Sequence, residues 1–273
     1  PKGQYDSQIE VKNFTTATVG TRTATVTFEK LTLSFSYKVI DGNFADGTGA
    51  ETDPYLVATT GQFQNMLNQK SFGYYKLTNN IDFTGTAINM ANDGAAAADK
   101  DAWVGVLDGN GYIVSGISQV RTKNGEISNK YNEVFGKVSR EKEKFVLKNI
   151  TFDFASTGES ATMGLVTCFG DKGVLEFNNV KVTGYLNAAN TSNSNVAPFV
   201  TFMYRGSKYL GSLNITNCVS DIKIYNSYAI HHVSGFIAGQ SEDDSKGFKP
   251  LSSGNIKFEN SKFTGYIEGA KVA

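Results

Sequence analysis

Apolar and polar residues alternate along most of this 273-residue chain, and the alternation has a period of two. A period of two puts successive side chains on opposite faces of an extended backbone, so it predicts β structure nearly throughout. Three such runs open the chain, at 9–11, 24–28 and 31–39, each apolar on one face in the manner of half-buried antiparallel strands. Glu29-Lys30 separates the last two and predicts a tight hairpin, although it lacks the Gly or Asn such turns favour. Three strands barely bury a core alone, so this stretch reads as part of a larger sandwich.

The pattern then changes. Residues 41–54 are rich in Gly, Asp and Thr and read as a loop. Its carboxylates (Asp41, Asp46, Glu51, Asp53) lack the D-x-[DN]-x-[DN]-G spacing of a calcium loop, so turns closed by Asx side chains are expected. Thr59 and Gln62 have the spacing of a capping box, and Phe63, Met66 and Leu67 fall at i, i+3 and i+4. A short amphipathic helix is predicted over 60–69. It is expected to cap the end of a sheet stack, where unpaired edge groups would otherwise be exposed. Residues 74–83 read as a strand and 103–117 as two strands around a Gly-Asn turn, with 91–100 between them as an exposed insertion.

The C-terminal half repeats one phrase. Phe145-Val-Leu-Lys-Asn149-Ile-Thr-Phe152, Leu175-Glu-Phe-Asn-Asn179-Val-Lys-Val182, Leu213-Asn-Ile-Thr-Asn217-Cys-Val-Ser220 and Ile256-Lys-Phe-Glu-Asn260-Ser-Lys-Phe263 each carry alternation, an Asn, then alternation again. The Asn recurs after 30, 38 and 43 positions. A drifting period is that of one stacked structural unit with connecting loops of variable length.

Three ordered segments carry a family resemblance: Gly47-Thr-Gly-Ala-Glu-Thr-Asp-Pro54-Tyr55-Leu-Val-Ala-Thr59, Tyr74-Tyr-Lys-Leu77-Thr-Asn-Asn-Ile81-Asp82-Phe83, and Val106-Leu-Asp108-Gly-Asn-Gly111-Tyr-Ile-Val-Ser-Gly116-Ile117. They resemble the opening of bacterial surface β-helix modules of the GLUG-repeat and pectate-lyase-like adhesin type. Val134-Phe-Gly136, Met163-Gly-Leu-Val166, Ala197-Pro-Phe-Val200 and Ser234-Gly-Phe-Ile-Ala-Gly239 are similar to that family's later repeats. Residues 13–28 resemble the closing strands of a bacterial immunoglobulin-like domain. The resemblance implies an all-β chain: part of an Ig-like sandwich over 1–41, then a right-handed parallel β-helix with a short capping helix over 42–273.

Aligned on the Asn, such a stack has inward columns Ile150, Val180, Cys218, Ser261; Phe152, Val182, Ser220, Phe263; Phe154, Gly184, Ile222, Gly265; and Leu186, Ile224, Ile267. Ser220 and Ser261 need hydrogen-bond partners there. Asn149, Asn179, Asn217 and Asn260 then form a structural ladder at one corner, because Asn tolerates left-handed backbone and its amides bond up and down a stack. The outward columns read Thr151, Lys181, Val219, Lys262; Asp153, Thr183, Asp221, Thr264; and Tyr185, Lys223, Tyr266. With rungs about 4.8 Å apart, Tyr185, Lys223 and Tyr266 are the candidate ligand-binding row, suited to stacking a sugar ring or a cation–π contact.

Charge narrows the partners. With 26 basic and 26 acidic residues there is no electrostatic case for nucleic acid or an anionic membrane, and no apolar run is long enough to span a bilayer. No apolar leader opens the chain, whose start in mid-pattern is that expected of an excised fragment. Cys168 and Cys218 read as buried thiols, and the adjacent His231 and His232 point to opposite faces of a strand, where they cannot share a metal. No cofactor or metal site is expected. Asp153 and Asp221, two rungs or about 9.6 Å apart, are the nearest approach to a glycosidase pair. The expected function is a non-catalytic module of a large extracellular bacterial surface protein, an adhesin or display scaffold with glycan or matrix molecules and its own further modules as partners. The alternative is a polysaccharide lyase or glycoside hydrolase.

Overall fold

A computed structural model describes residues 9–18, 20–39, 41–118, 120–122, 124–126, 131–158, 162–188, 195–201, 210–226, 232–238 and 255–269. Strands β1 (Ile9–Lys12), β2 (Gly20–Phe28) and β3 (Leu31–Val39) form an open antiparallel sheet in that order. Phe28 pairs with Leu31 across the two-residue Glu29-Lys30 turn, and Glu29 itself adopts the left-handed φ of 51°. The hairpin therefore forms as expected, with a glutamate in the conformation that usually selects Gly or Asn.

Among the described residues every strand pair after β3 is parallel. The elements run β4 (Tyr55–Val57), α1 (Thr60–Leu67), β5 (Tyr74–Leu77), β6 (Ile81–Asp82), β7 (Ile88–Asn89), β8 (Gly105–Asp108), β9 (Ile113–Ile117) and β10 (Val120–Arg121). They continue through β11 (Tyr131–Val138), β12 (Phe145–Gly158), β13 (Thr162–Phe169), β14 (Gly173–Ala188), β15 (Asn195–Val196), β16 (Leu210–Thr216) and β17 (Val219–Asn226). The last are β18 (His232–Val233), β19 (Asn255–Glu259), β20 (Lys262–Phe263) and β21 (Tyr266–Gly269). The molecule is all-β with one large parallel sheet. Its main path is β19-β16-β14-β12-β8-β5-β4, and a smaller parallel sheet has the order β11-β13-β15-β18. From β11 onward the chain alternates between the two, and successive returns to the large sheet lie side by side.

Each return is bent at its Asn. β12 and β14 run through Asn149 and Asn179, while Asn217 separates β16 from β17 and Asn260 separates β19 from β20. All four are left-handed, with φ of 53°, 55°, 55° and 49°. The register is that of the Asn alignment: Ile150 pairs with Val180, Phe152 with Val182, and Val182 with Ser220. Phe152, Val182, Cys218, Ile222 and Ile224 are fully buried, each such side chain contributing about 1.5–3 kcal/mol. A file of aromatic rings runs up the interior from Trp103 to Phe145, Phe177 and Phe199 and continues through the half-buried Phe236 to the exposed Phe258, with successive centroids 5.0–5.8 Å apart.

α1 starts where expected. Thr59 Oγ1 accepts from the Gln62 amide, and Gln62 Oε1 accepts from Ala58 N. Phe63, Met66 and Leu67 are buried, and the helix packs on β4, β6 and β7 at the β4 end of the large sheet.

Two expectations need correction. β8 and β9 do not form a hairpin around Gly109-Asn110; β8 pairs with β5 and β12, and β9 with β6 and β12. Asn110, with φ of 53°, is a further corner of the same kind as Asn149. Residues 91–100 are not a free insertion either. Asn92 is 1% exposed, and its amide accepts from Lys137 N and donates to Lys137 O, both at 2.8 Å. Its side chain thus pairs with β11 as a strand backbone would, which pins the segment to the body.

Candidate functional site

The corner is built by backbone geometry first. A left-handed residue turns the strand, and Asn fills it because its short amide offsets the steric cost with local hydrogen bonds. The amides then join: Asn179 Nδ2 donates to Asn149 Oδ1 at 3.0 Å, and Asn149 Nδ2 to Asp108 Oδ1 at 3.2 Å. The ladder therefore ends on a carboxylate that also caps Asn110 N at 2.9 Å. It stops in the other direction. Asn217 uses its backbone N–H on Glu259 O, and its side chain bonds to nothing among the described residues. Beside the corner lies an open groove of about 240 Å³, lined by Asn149, Asn179, Asn217, Thr151, Lys181 and Val219 among others.

Further along the same strands the outward rows appear in order. Tyr185 pairs with Lys223 and Lys223 with Tyr266, so the three predicted residues form one row across three rungs. Tyr185 is 38% and Tyr266 53% exposed. The glycine before each tyrosine is required. At Gly184, with φ of 87°, a Cβ would lie 1.9 Å from Phe154 O, and at Gly265 it would lie 2.0 Å from Ile222 O. Thr-Gly-Tyr thus brings the backbone close to the preceding rung immediately before the tyrosine turns outward. Tyr225, half-buried, stands in the next outward row opposite Asn187 and Glu268. It lies diagonal to both tyrosines, a separation aromatic side chains span. Sequence reasoning missed it, although continuing the alternation two residues past Lys223 reaches it.

Asp153, Thr183 and Asp221 share a row as expected. Asp153 accepts from Thr183 Oγ1 at 2.5 Å, and Asp221 faces Lys181 Nζ at 3.7 Å. Each carboxylate thus has a polar partner on the adjacent rung. In the 41–54 loop, Asp41 closes an Asx turn on Asn43 N at 2.9 Å. Asp46 and Asp53 grip Lys38 Nζ at 2.9 and 2.8 Å, tying the antiparallel sheet to the parallel body. Hydrogen bonding to Lys38 holds both carboxyls below their usual range and raises the lysine.

Among the described residues no three His, Cys, Asp or Glu side chains gather as a metal site. His231 lies outside the described residues. Cys168 and Cys218 are buried thiols outside any disulfide, and the Cys218 thiol donates to Thr216 O at 3.3 Å. Desolvation raises its pKa. Ser261 donates to Glu259 O and accepts from Cys218 N, whereas the buried Ser220 hydroxyl has no partner among the described residues.

One buried acid is not signalled by the alternation of residue types. Glu133 sits in β11 beside a register shift, fully buried, and one oxygen accepts from Thr201 Oγ1 at 2.8 Å. Its second oxygen has no partner within strict hydrogen-bond geometry among the described residues. Desolvation pushes its pKa up to about 7, against the opposing pull of the Thr162, Thr201 and Thr167 hydroxyls.

No helix among the described residues is long and apolar enough to cross a membrane. No family model and no curated protein matches the chain. Among solved structures, a "putative immunoglobulin A1 protease from Bacteroides ovatus" is similar at 15% identity and a TM-score of 0.43, over 82% of this chain and 71% of that one. At that level of likeness it carries no argument about this chain's function.

Proposed function

We propose that residues 42–273 form a right-handed parallel β-helix that acts as a non-catalytic, glycan-binding display module of an extracellular bacterial surface protein, with 1–41 belonging to an Ig-like domain. The alternation between two parallel sheets with Asn-marked corners supports the β-helix. The observation that carries the binding role is the register that joins Tyr185, Lys223 and Tyr266 on one exposed face, with Tyr225 diagonal to them. Aromatic faces held at fixed spacing with a cation between them suit stacking against sugar rings. The engagement of Asp153 by Thr183 and of Asp221 by Lys181 favours a face that binds without cleaving.

A glycan array probed with the parent chain and with a Tyr185→Ala/Tyr266→Ala double variant tests this. The parent is expected to retain a defined set of glycans and the double variant to lose them at least tenfold. Equal retention removes the tyrosine row as the site.

A further inference from the structure

The groove at the Asn corner has a composition that the structural ladder does not account for. Asn149 and Asn179 spend one amide donor each on the ladder, and Asn149 Oδ1 is the acceptor between them. At the next rung the pattern breaks, although the register continues: Asn178 pairs with Thr216, and Lys181 with Val219. Asn179 and Asn217 line the groove from adjacent rungs, and neither Asn179 Oδ1 nor the Asn217 amide has a hydrogen-bond partner among the described residues. One offers a lone pair, the other N–H groups. Between the cationic arms of Lys181 and Lys262, which pair with Val219 from either side, the outward row is apolar. Val219 and Val180 floor the groove, Val219 half-buried and Val180 buried.

An acceptor, a donor and a small apolar patch within one rung spacing are the complement of a secondary amide bearing a methyl group. We propose that this groove is a subsite for the acetamido group of an N-acetylated sugar, bridging the two amides from outside where the ladder is interrupted. Asn217 Nδ2 donates to the acetamido carbonyl, the acetamido N–H donates to Asn179 Oδ1, and the methyl group packs on Val219. The volume of about 240 Å³ is that of a single small subsite rather than a drug-sized pocket. It lies on the same strands as the tyrosine row: Lys181 precedes Tyr185 by four residues, about 13 Å at the rise of a strand. One chain of a few sugar units spans both. The inference rests on the glycan reading above and adds the group by which the sugar is selected.

Chitotriose and cellotriose differ at each ring by acetamido against hydroxyl, and they are the probes. Titrated into the ¹⁵N-labelled chain, chitotriose is expected to shift the side-chain amide signals of Asn179 and Asn217 and to bind at least tenfold more tightly than cellotriose. Asn217→Asp keeps a residue that tolerates the left-handed corner but replaces the donor with an acceptor, and it is expected to erase the preference. Asn217→Gly, which also suits the corner, is expected to do the same and guards against a charge effect. Equal affinity for the two sugars, a preference that survives both variants, or no shift at either amide at millimolar sugar overturns the proposal. Competition by N-methylacetamide as effective as that by N-acetylglucosamine would reassign the groove to amides in general and overturn the sugar assignment. Failure of the tyrosine reading is distinct. If Tyr185→Ala/Tyr266→Ala leaves both the affinity and the acetamido preference intact, the groove stands and the tyrosine row falls; if that variant weakens both sugars alike and no preference exists, the reverse holds.

Discussion

The antiparallel sheet β1–β3 and the parallel body are written in the same period-two code and reach opposite outcomes. In β3, Leu31 and Leu33 are each 71% exposed; in the body, Leu175 and Leu213 are fully buried. Alternation decides which face of a strand is apolar, and it is silent on what lies over that face. In the body the cover comes from the chain itself, because each rung passes between the two parallel sheets and the aromatic file from Trp103 to Phe199 fills the space enclosed. In β1–β3 the described residues supply one layer, and Ile9, Val11, Leu31, Leu33 and Phe35 share its open face. Surface tyrosines on the body are a different matter. They stand on a rigid rung with a polar row on either side, so their exposure costs the fold little.

Substitutions sharpen this contrast. The largest effect is expected at Phe177, which packs between Phe145 and Phe199 with no exposed area to spare. Phe177→Ala is expected to lower stability by about 3–5 kcal/mol in denaturant unfolding followed by circular dichroism. Next is the pH dependence set by Glu133. Its folded-state pKa of about 7 exceeds the ordinary 4.5, so between those values the folded chain holds a proton that the unfolded chain has released. Stability is then fullest below pH 4.5 as far as this group is concerned, and falls as pH rises toward 7, by up to roughly 1.4 kcal/mol per pH unit. Glu133→Gln is expected to flatten that slope in melting curves recorded from pH 4.5 to 8, and an unchanged slope would show that the acid is not the cause.

Gly184→Ala follows, at about 1–3 kcal/mol, since a methyl group must displace the Phe154 carbonyl in a left-handed backbone. Smallest is the double replacement Leu31→Thr/Leu33→Thr. It is expected to change stability by about 0.5 kcal/mol or less per site and to reduce self-association in sedimentation. A loss comparable to that at Phe177 would show that the open sheet is covered in solution.

The corners and the faces were legible from residue type alone. Asn149, Asn179, Asn217 and Asn260 all take the left-handed φ that Asn tolerates, and the register derived from them is that of the paired strands. The helix over 60–67 was legible because capping and periodicity agreed. Long-range substitution of side chain for backbone was not: nothing local to Asn92 announces that its amide will pair with Lys137. The Gly109-Asn110 turn was misjudged because a hairpin and a corner need the same left-handed residue, and only the partners of β8 and β9 distinguish them. Glu133 escaped because a register shift in β11 breaks the alternation that would have shown it inward. The groove escaped for another reason: an interruption in the amide ladder depends on side-chain reach between rungs, which spacing does not encode.

The two exposed patches, the tyrosine row of the body and the apolar face of β1–β3, offer the most direct test of the functional account. Glycan affinity measured for the parent, for Tyr185→Ala/Tyr266→Ala and for Leu31→Thr/Leu33→Thr decides between them. The account predicts that the tyrosine variant loses at least tenfold while the leucine variant binds as the parent does. Binding that survives the loss of both tyrosines and disappears with the two leucines would contradict it.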